Sequence, residues 1–169
     1  QRLFNAGYSE DTNNDMVEDR RWLLLRRIGS FIPGDSEADT ALAPLVQSEL
    51  ERDPTDSGQT AALAVAATRP DHETKKRWLD TVRDPAADLS LHRRRSVMSA
   101  LFPAQQASLH AAFADDILAS LRAVGAVHQS PFLKSFGLLI PQSGRAEDVA
   151  RLARAIEDGA DLHPLLLEA

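Results

Sequence analysis

Cysteine is absent from this chain of 169 residues, and glycine (8) and aromatic residues (5%) are scarce. Without thiols the chain cannot form disulfides, a thiol nucleophile, an iron–sulfur cluster or a cysteine-ligated zinc site. No apolar run approaches the roughly 18 residues of a membrane-spanning helix, and from the polar N-terminus we expect no secretory signal. Because Gln1 cannot be an initiator, we expect the chain to be trimmed or cut from something longer.

The remaining composition is that of an ordinary soluble globular domain, with 43% hydrophobic and 26% charged residues. The length suits a single domain with a real core. The formal net charge is −6, whereas a protein that binds nucleic acid or an anionic membrane is expected to be basic. We therefore expect neither nucleic acid nor membrane as a partner.

Apolar residues recur at helical spacing between proline and glycine breaks, and no segment alternates as a strand would. We predict an irregular lead-in over 1–17 and a final apolar stub over 162–167. Between them the pattern predicts helices over about 18–28, 35–52, 55–69, 71–83, 89–102, 106–124, 131–140 and 144–158. Each has one apolar stripe and cannot stand alone, so we expect an all-α fold of stacked antiparallel helix pairs in a right-handed arc.

The closest approach to a metal motif is His72-Glu73, with Lys76 where a zinc-binding His-Glu-x-x-His helix needs its second histidine. A lysine is cationic at neutral pH and cannot be that ligand, so we interpret this segment as an exposed first helical turn. The other histidines are isolated, and we expect them to be surface or partly buried residues: His92, His110, His128 and His163.

The only dense basic run is Arg93-Arg94-Arg95, and three successive helical residues point in three directions. A solvated face with ion pairs therefore fits it better than a phosphate site. The neighbouring carboxylates of Asp115 and Asp116 diverge for the same reason, so a shared catalytic proton is not expected. Trp22 and Trp78 are predicted core residues. We assign no catalytic, cofactor-binding or metal-binding residue to this chain.

Several segments resemble the C-terminal helical part of bacterial aminopeptidase N-type zinc peptidases. Residues 19–28 (DRRWLLLRRI) resemble the family's D-x-R-W-x-L-L-x-R-L helix, and residues 49–58 (ELERDPTDSG) resemble its E-L-x-R-D-x-T-x-x-G turn. Residues 62–70 resemble its A-A-x-A-A-R-P run, and 75–78 (KKRW) are similar to the K-x-x-x-W that follows. Residues 159–168 (GADLHPLLLE) are similar to its closing segment, whereas 80–145 match only as generic helices.

This resemblance implies that residues 1–169 are a single all-helical domain, the distal part of a HEAT-like C-terminal arc (an α-α superhelix). Such a domain is non-catalytic, closes over an upstream zinc-dependent catalytic domain and helps wall a chamber for peptide substrates. The implied location is cytoplasmic. The implied partners are the upstream domain and the peptide substrate, and the zinc belongs to that upstream domain. An apolar face for the missing neighbour, with Leu3, Phe4 and Tyr8 as contributors, is expected.

Two other functions stay open on the sequence. The chain could be a stand-alone helical-repeat adaptor that grips a protein partner in its concave face. The chain could also be a small enzyme of another type, but its sequence contains no plausible set of catalytic residues.

Overall fold

The computed structural model describes residues 11–34, 36–140 and 146–157, with side chains from Arg20 onward. Leu3, Phe4, Tyr8, His163 and the predicted stub over 162–167 lie outside the described residues. All regular secondary structure assigned within the described ranges is helical. The helices are α1 (Asp11–Gly29), α2 (Glu37–Arg52), α3 (Asp56–Ala67), α4 (His72–Arg83), α5 (Leu91–Leu101), α6 (Ala107–Ala112), α7 (Ala114–Val127), α8 (Ser130–Gly137) and α9 (Ala146–Glu157), with a short 3₁₀ turn at Ala104–Gln106. The prediction of an all-α fold is confirmed.

The first five helices stack in chain order, and α8 packs back against α5. α1 packs against α2 and α3, α3 packs against α4 and α5, and α5 packs against α4 and α8. Contacts between a helix and its next or next-but-one neighbour are typical of helical stacks, in which each unit buries its apolar stripe against adjacent units. α3 connects the two halves of this stack, because it contacts α1 and α2 as well as α4 and α5.

Two apolar clusters form the core, and α3 separates them. The smaller one joins Trp22 and Leu25 of α1 to Leu42 of α2 and Val65 of α3. The larger one begins on the other side of α3, at Ala64 and Ala67, and continues through the second half of the stack. Its further buried members are Leu79, Val82, Val97, Met98, Ala100, Leu101, Phe113, Ile117, Leu121, Val124, Phe132, Leu133, Phe136, Leu139 and Ile140.

Side-chain caps explain where four of the helices begin. Ser36, Thr55, Asp71 and Ser90 each accept a hydrogen bond from the backbone N–H three residues later. This satisfies one of the amides that an α-helix leaves without a partner at its N-terminus. The sequence predicted the cap at Asp71, and it left Asp35 or Ser36 open for α2 and Thr55 or Asp56 open for α3. α2 continues through its exposed Pro44.

Two predicted boundaries are wrong. α1 begins at Asp11 inside the predicted irregular lead-in, because asparagine and aspartate reduce helix stability by only a few tenths of a kcal/mol each. The single helix predicted over 106–124 is instead a 3₁₀ turn, α6 and α7, with a break at Phe113. Phe113 stays in the right-handed helical region (φ −93°, ψ 0°), but its N–H bonds to the carbonyl of His110 three residues earlier, and its ring packs against Phe102 and His72. The ring of Phe113 is buried at this break.

The helix with the clearest apolar stripe does not bury it within the described part of the chain. α9 forms as predicted, but Val149 is 59% exposed, and Leu152 and Ile156 are exposed too. The helix faces α7 with its polar side instead, where Arg151 pairs with Asp115. The stripe on α9 is therefore an apolar surface rather than a core contact.

The connection between α2 and α3 is built on what we call the Asp53 cluster (Trp22, Asp53, Thr55 and Gly58). The buried carboxylate of Asp53 accepts a hydrogen bond from the indole Nε1 of Trp22 at 3.0 Å and others from the hydroxyl and amide of Thr55. The Thr55 hydroxyl bond, assisted by that of Trp22, lowers the pKa of Asp53 against the opposing effect of burial. One carboxylate thus fixes α1, the end of α2 and the start of α3.

We predict that Gly58→Ala destabilises the chain by about 2–3 kcal/mol, because the new methyl group overlaps the Asp53 cluster. An added Cβ would lie 2.6 Å from the carboxyl carbon of Asp53 and would also overlap the Asp53 carbonyl oxygen. The free energy of unfolding in urea measures the effect. The neighbouring and exposed Ser57→Ala is the control and should change stability by less than about 0.5 kcal/mol. Equal stabilities of the two variants would contradict the prediction.

Candidate functional site

The three successive arginines of α5 have three different roles. Arg93 pairs with Asp56 at 2.7 Å and also reaches Gln59, both on α3. Arg94 is buried, and Arg95 is exposed with no ion pair or hydrogen bond to any described residue. The predicted divergence is confirmed, but the interpretation as a solvated face with ion pairs holds only for Arg93, because Arg94 is buried and Arg95 makes no ion pair with a described residue.

Arg94 closes the end of α4. Only 6% of the residue is exposed, and its guanidinium donates hydrogen bonds to backbone carbonyls in the connection between α4 and α5. The shortest run to Asp84 (2.7 Å), Val82 (2.8 Å) and Ala87 (2.8 Å), with a further one to Leu89 (3.0 Å). The last carbonyls of a helix lack partners within that helix. Arg94 supplies those partners and is structural.

Lys75 is the most deeply buried cation among the described residues and has no exposed surface (0%). Its ammonium group donates to the carbonyl of Ala67 at the end of α3 (2.9 Å) and lies 5.7 Å from the centre of the Phe102 ring. Burial lowers the pKa of Lys75 to about 7, although Asp71 acts in the opposite direction. Removing a charge from water disfavours its protonated form. No carboxylate in the described part of the chain bonds this amine.

An open groove lies between α5 and α8, and we call it the α5–α8 groove. Its volume is about 590 Å³. One wall is a single face of α5, because the residues lie three or four positions apart along that helix. They are His92, Arg95, Ser96, Ser99 and the following Phe102.

The opposite wall of the groove combines polar atoms with apolar surface. It contains His110, Ser135, Leu138 and Leu139. Leu138 is 69% exposed there, and the His110 ring stacks on Phe102 with the ring centres 4.4 Å apart. Nε2–H of His110 donates to the carbonyl of Leu139 (2.7 Å), and burial lowers the pKa of this histidine. The neutral ring therefore has an unprotonated Nδ1 that can accept a hydrogen bond.

The structure places the predicted candidate residues apart from one another. His72 and Glu73 are exposed in the first turn of α4, as interpreted, and Lys76 pairs with Asp80 at 2.9 Å. His128 donates from Nε2 to the carbonyl of Arg83 (2.7 Å). Of the histidines the sequence singled out, the α5–α8 groove brings together only His92 and His110 among the described ones.

The remaining candidates also behave structurally. Asp115 and Asp116 diverge in the first turn of α7, where they pair with Arg151 (3.3 Å) and Arg83 (3.0 Å) respectively. Trp22 is a core residue, while Trp78 is partly buried against the larger cluster. Across the described ranges no group of three or more metal-ligating side chains converges.

Sequence reasoning missed Arg94 and Lys75 as structural cations, although the helical spacing carries the signal. Lys75, Leu79 and Val82 lie on one stripe of α4, and Arg94 lies with Val97 and Leu101 on one stripe of α5. A charge on the core side of an amphipathic helix must find a partner when it is buried.

Comparison with known proteins adds no relative. No protein-family model matches the chain, and neither the curated proteins nor the solved structures contain a match. Among the described helices, none has the length and apolar character to cross a membrane.

We predict that Arg94→Ala lowers the free energy of unfolding by about 3–5 kcal/mol, because it leaves several buried carbonyls without donors. The two adjacent arginines are matched controls. Arg93→Ala should cost about 0.2–1 kcal/mol for its exposed ion pair, and Arg95→Ala less than about 0.5 kcal/mol. Urea unfolding of the three variants gives the order, and equal losses at all three positions would contradict the role of Arg94.

Lys75 should make stability depend on pH. Its folded-state pKa lies below the unfolded value of 10.5, so between about pH 7 and 10.5 the unfolded chain binds a proton that the folded chain does not. Stability from this group therefore rises with pH over that window. Relative to Lys75→Met, the native chain should gain about 2–3 kcal/mol between about pH 7.5 and 9.5.

The control for this measurement is Lys134→Met, which removes an exposed lysine of α8. It should keep the pH dependence of the native chain. A native chain and a Lys75→Met variant with parallel stability profiles would show that Lys75 does not titrate abnormally in the fold.

Proposed function

We propose that this chain is a non-catalytic C-terminal helical domain of a zinc-dependent aminopeptidase. In the parent enzyme an upstream catalytic domain would use zinc-polarised water to remove N-terminal residues from peptides. The helical domain would wall the substrate chamber and restrict access to it, and the enzyme would be cytoplasmic. The resemblance over residues 19–78 is the origin of this proposal.

One structural observation supports the proposal most. Trp22, Asp53, Thr55 and Gly58 all belong to the motifs that carry the resemblance, and in the fold they form the Asp53 cluster. Glu49 of the same motif is buried and pairs with Arg21 (3.6 Å) and Arg52 (3.1 Å). Residues far apart in sequence are thus linked physically, as expected of a fold signature rather than of chance identities.

Exposed apolar residues give a second line of support. Leu23, Leu24 and Phe31 at the α1 end are more than half exposed, and the α9 stripe is exposed within the described part of the chain. Leu23 and Leu24 are adjacent in the sequence, and adjacent exposed apolar side chains suit a contact with a neighbour. A domain that packs on further polypeptide would retain such surfaces.

The coding sequence upstream of Gln1 tests the proposal directly. We expect it to encode a His-Glu-x-x-His helix with a downstream glutamate, since those residues hold the zinc in this class of enzyme. A start codon immediately before Gln1 would contradict the proposal and would favour the stand-alone helical-repeat adaptor.

A further inference from the structure

The α5–α8 groove has the electrostatic character of a site for a negatively charged group. Its described lining includes the guanidinium of Arg95 and no carboxylate, in a chain whose formal net charge is −6. Arg95 is exposed and makes no ion pair or hydrogen bond with a described residue, whereas Arg93 and Arg94 of the same run are fully engaged. A planar guanidinium without a partner is suited to a two-point hydrogen bond with a carboxylate.

The other end of the groove is apolar. Phe102 and the largely exposed Leu138 lie there, and Met98 contributes to the lining. Arg95 and Phe102 are seven residues apart on one helical face, which corresponds to about 10 Å at 1.5 Å per residue. An extended peptide rises about 3.3 Å per residue, so about three residues span this distance.

The groove between these two ends can bind a peptide backbone. Ser96, Ser99 and Ser135 line it. The hydroxyls of Ser99 and Ser135 already donate to the carbonyls of Ser96 and Pro131 and can only accept from a ligand, whereas the Ser96 hydroxyl makes no hydrogen bond with a described residue and can donate or accept. Nδ1 of the neutral His110 offers a further acceptor. A hydrocarbon chain would leave the Ser96 hydroxyl and Nδ1 of His110 without partners, whereas a peptide backbone can bond both, which favours a peptide over a fatty acid.

We propose that the α5–α8 groove binds an extended acidic peptide segment of a partner protein, in which a carboxylate side chain pairs with Arg95 and an apolar side chain three residues away packs on Phe102 and Leu138. This interaction goes beyond the proposed function, because it requires neither zinc nor an upstream catalytic domain.

Capped tetrapeptides test the pairing with the 169-residue chain in solution. The probes are acetyl-Leu-Ser-Gly-Glu-amide and the reversed acetyl-Glu-Ser-Gly-Leu-amide, each with a counterpart that has glutamine in place of glutamate. Titration followed by backbone amide NMR gives both the affinity and the location. We expect the better glutamate peptide to bind five- to tenfold more tightly than its glutamine counterpart and to shift the amides of Ser96, Ser99 and Ser135.

A charge reversal gives the sharper comparison. Arg95→Glu should lose the preference for glutamate and bind the corresponding lysine peptide instead. The matched control is Arg20→Glu, which makes the same charge change at an exposed arginine of α1 and should keep the native preference.

The proposal would be overturned if glutamate and glutamine peptides bound equally, if neither shifted the groove amides, or if Arg20→Glu changed the preference as much as Arg95→Glu. Hexanoate that bound as tightly as the peptides would assign the groove to small amphiphiles instead. Each result is independent of the coding sequence upstream of Gln1, so failure of this inference and failure of the proposed function are distinguishable.

Discussion

The last carbonyl groups of an α-helix have no partner within the helix, and stacking short helices buries many of them. In this chain long polar side chains from the following helices supply the missing donors. Lys75 bonds the carbonyl of Ala67 at the end of α3. Gln106 donates one amide to the carbonyls of both Thr68 and Ser30, each at 2.8 Å. The ends of α1 and α3 are therefore held by one glutamine more than thirty residues away from either.

Side chains also bond the carbonyls at helix ends in the second half of the stack, and there too they connect one helix to another. Arg94 closes the end of α4 from α5, and His128 reaches the carbonyl of Arg83 from the end of α7. Each contact joins one helix terminus to a later element, so the helix ends and the apolar clusters stabilise the same arrangement. Because these contacts leave Arg95 out, the α5 run can combine a structural arginine with one that is available for binding.

Most helix positions could be predicted from the sequence, because caps such as Thr55 and Asp71 and the proline breaks act locally. The break at Phe113 could not, since it depends on rings from α4 and from the end of α5. The exposure of the apolar stripe on α9 could not be predicted either, because periodicity identifies an apolar face but does not identify which residues cover it. The α5–α8 groove could not be predicted for a related reason. Isolated serines and histidines form a candidate site only where the fold brings two helices together.

Side chains at the helix ends should hold the stack from α1 to α8 together as one cooperative unit, although its apolar core is divided at α3. Native-state hydrogen exchange of the intact chain tests this most directly, because it gives an opening free energy for each amide. A single unit predicts that the slowest amides of α1, α3, α5 and α8 share one value, equal to the global free energy of unfolding. A distinctly lower value shared by α1 and α2 would show that the smaller cluster opens by itself and would contradict the claim.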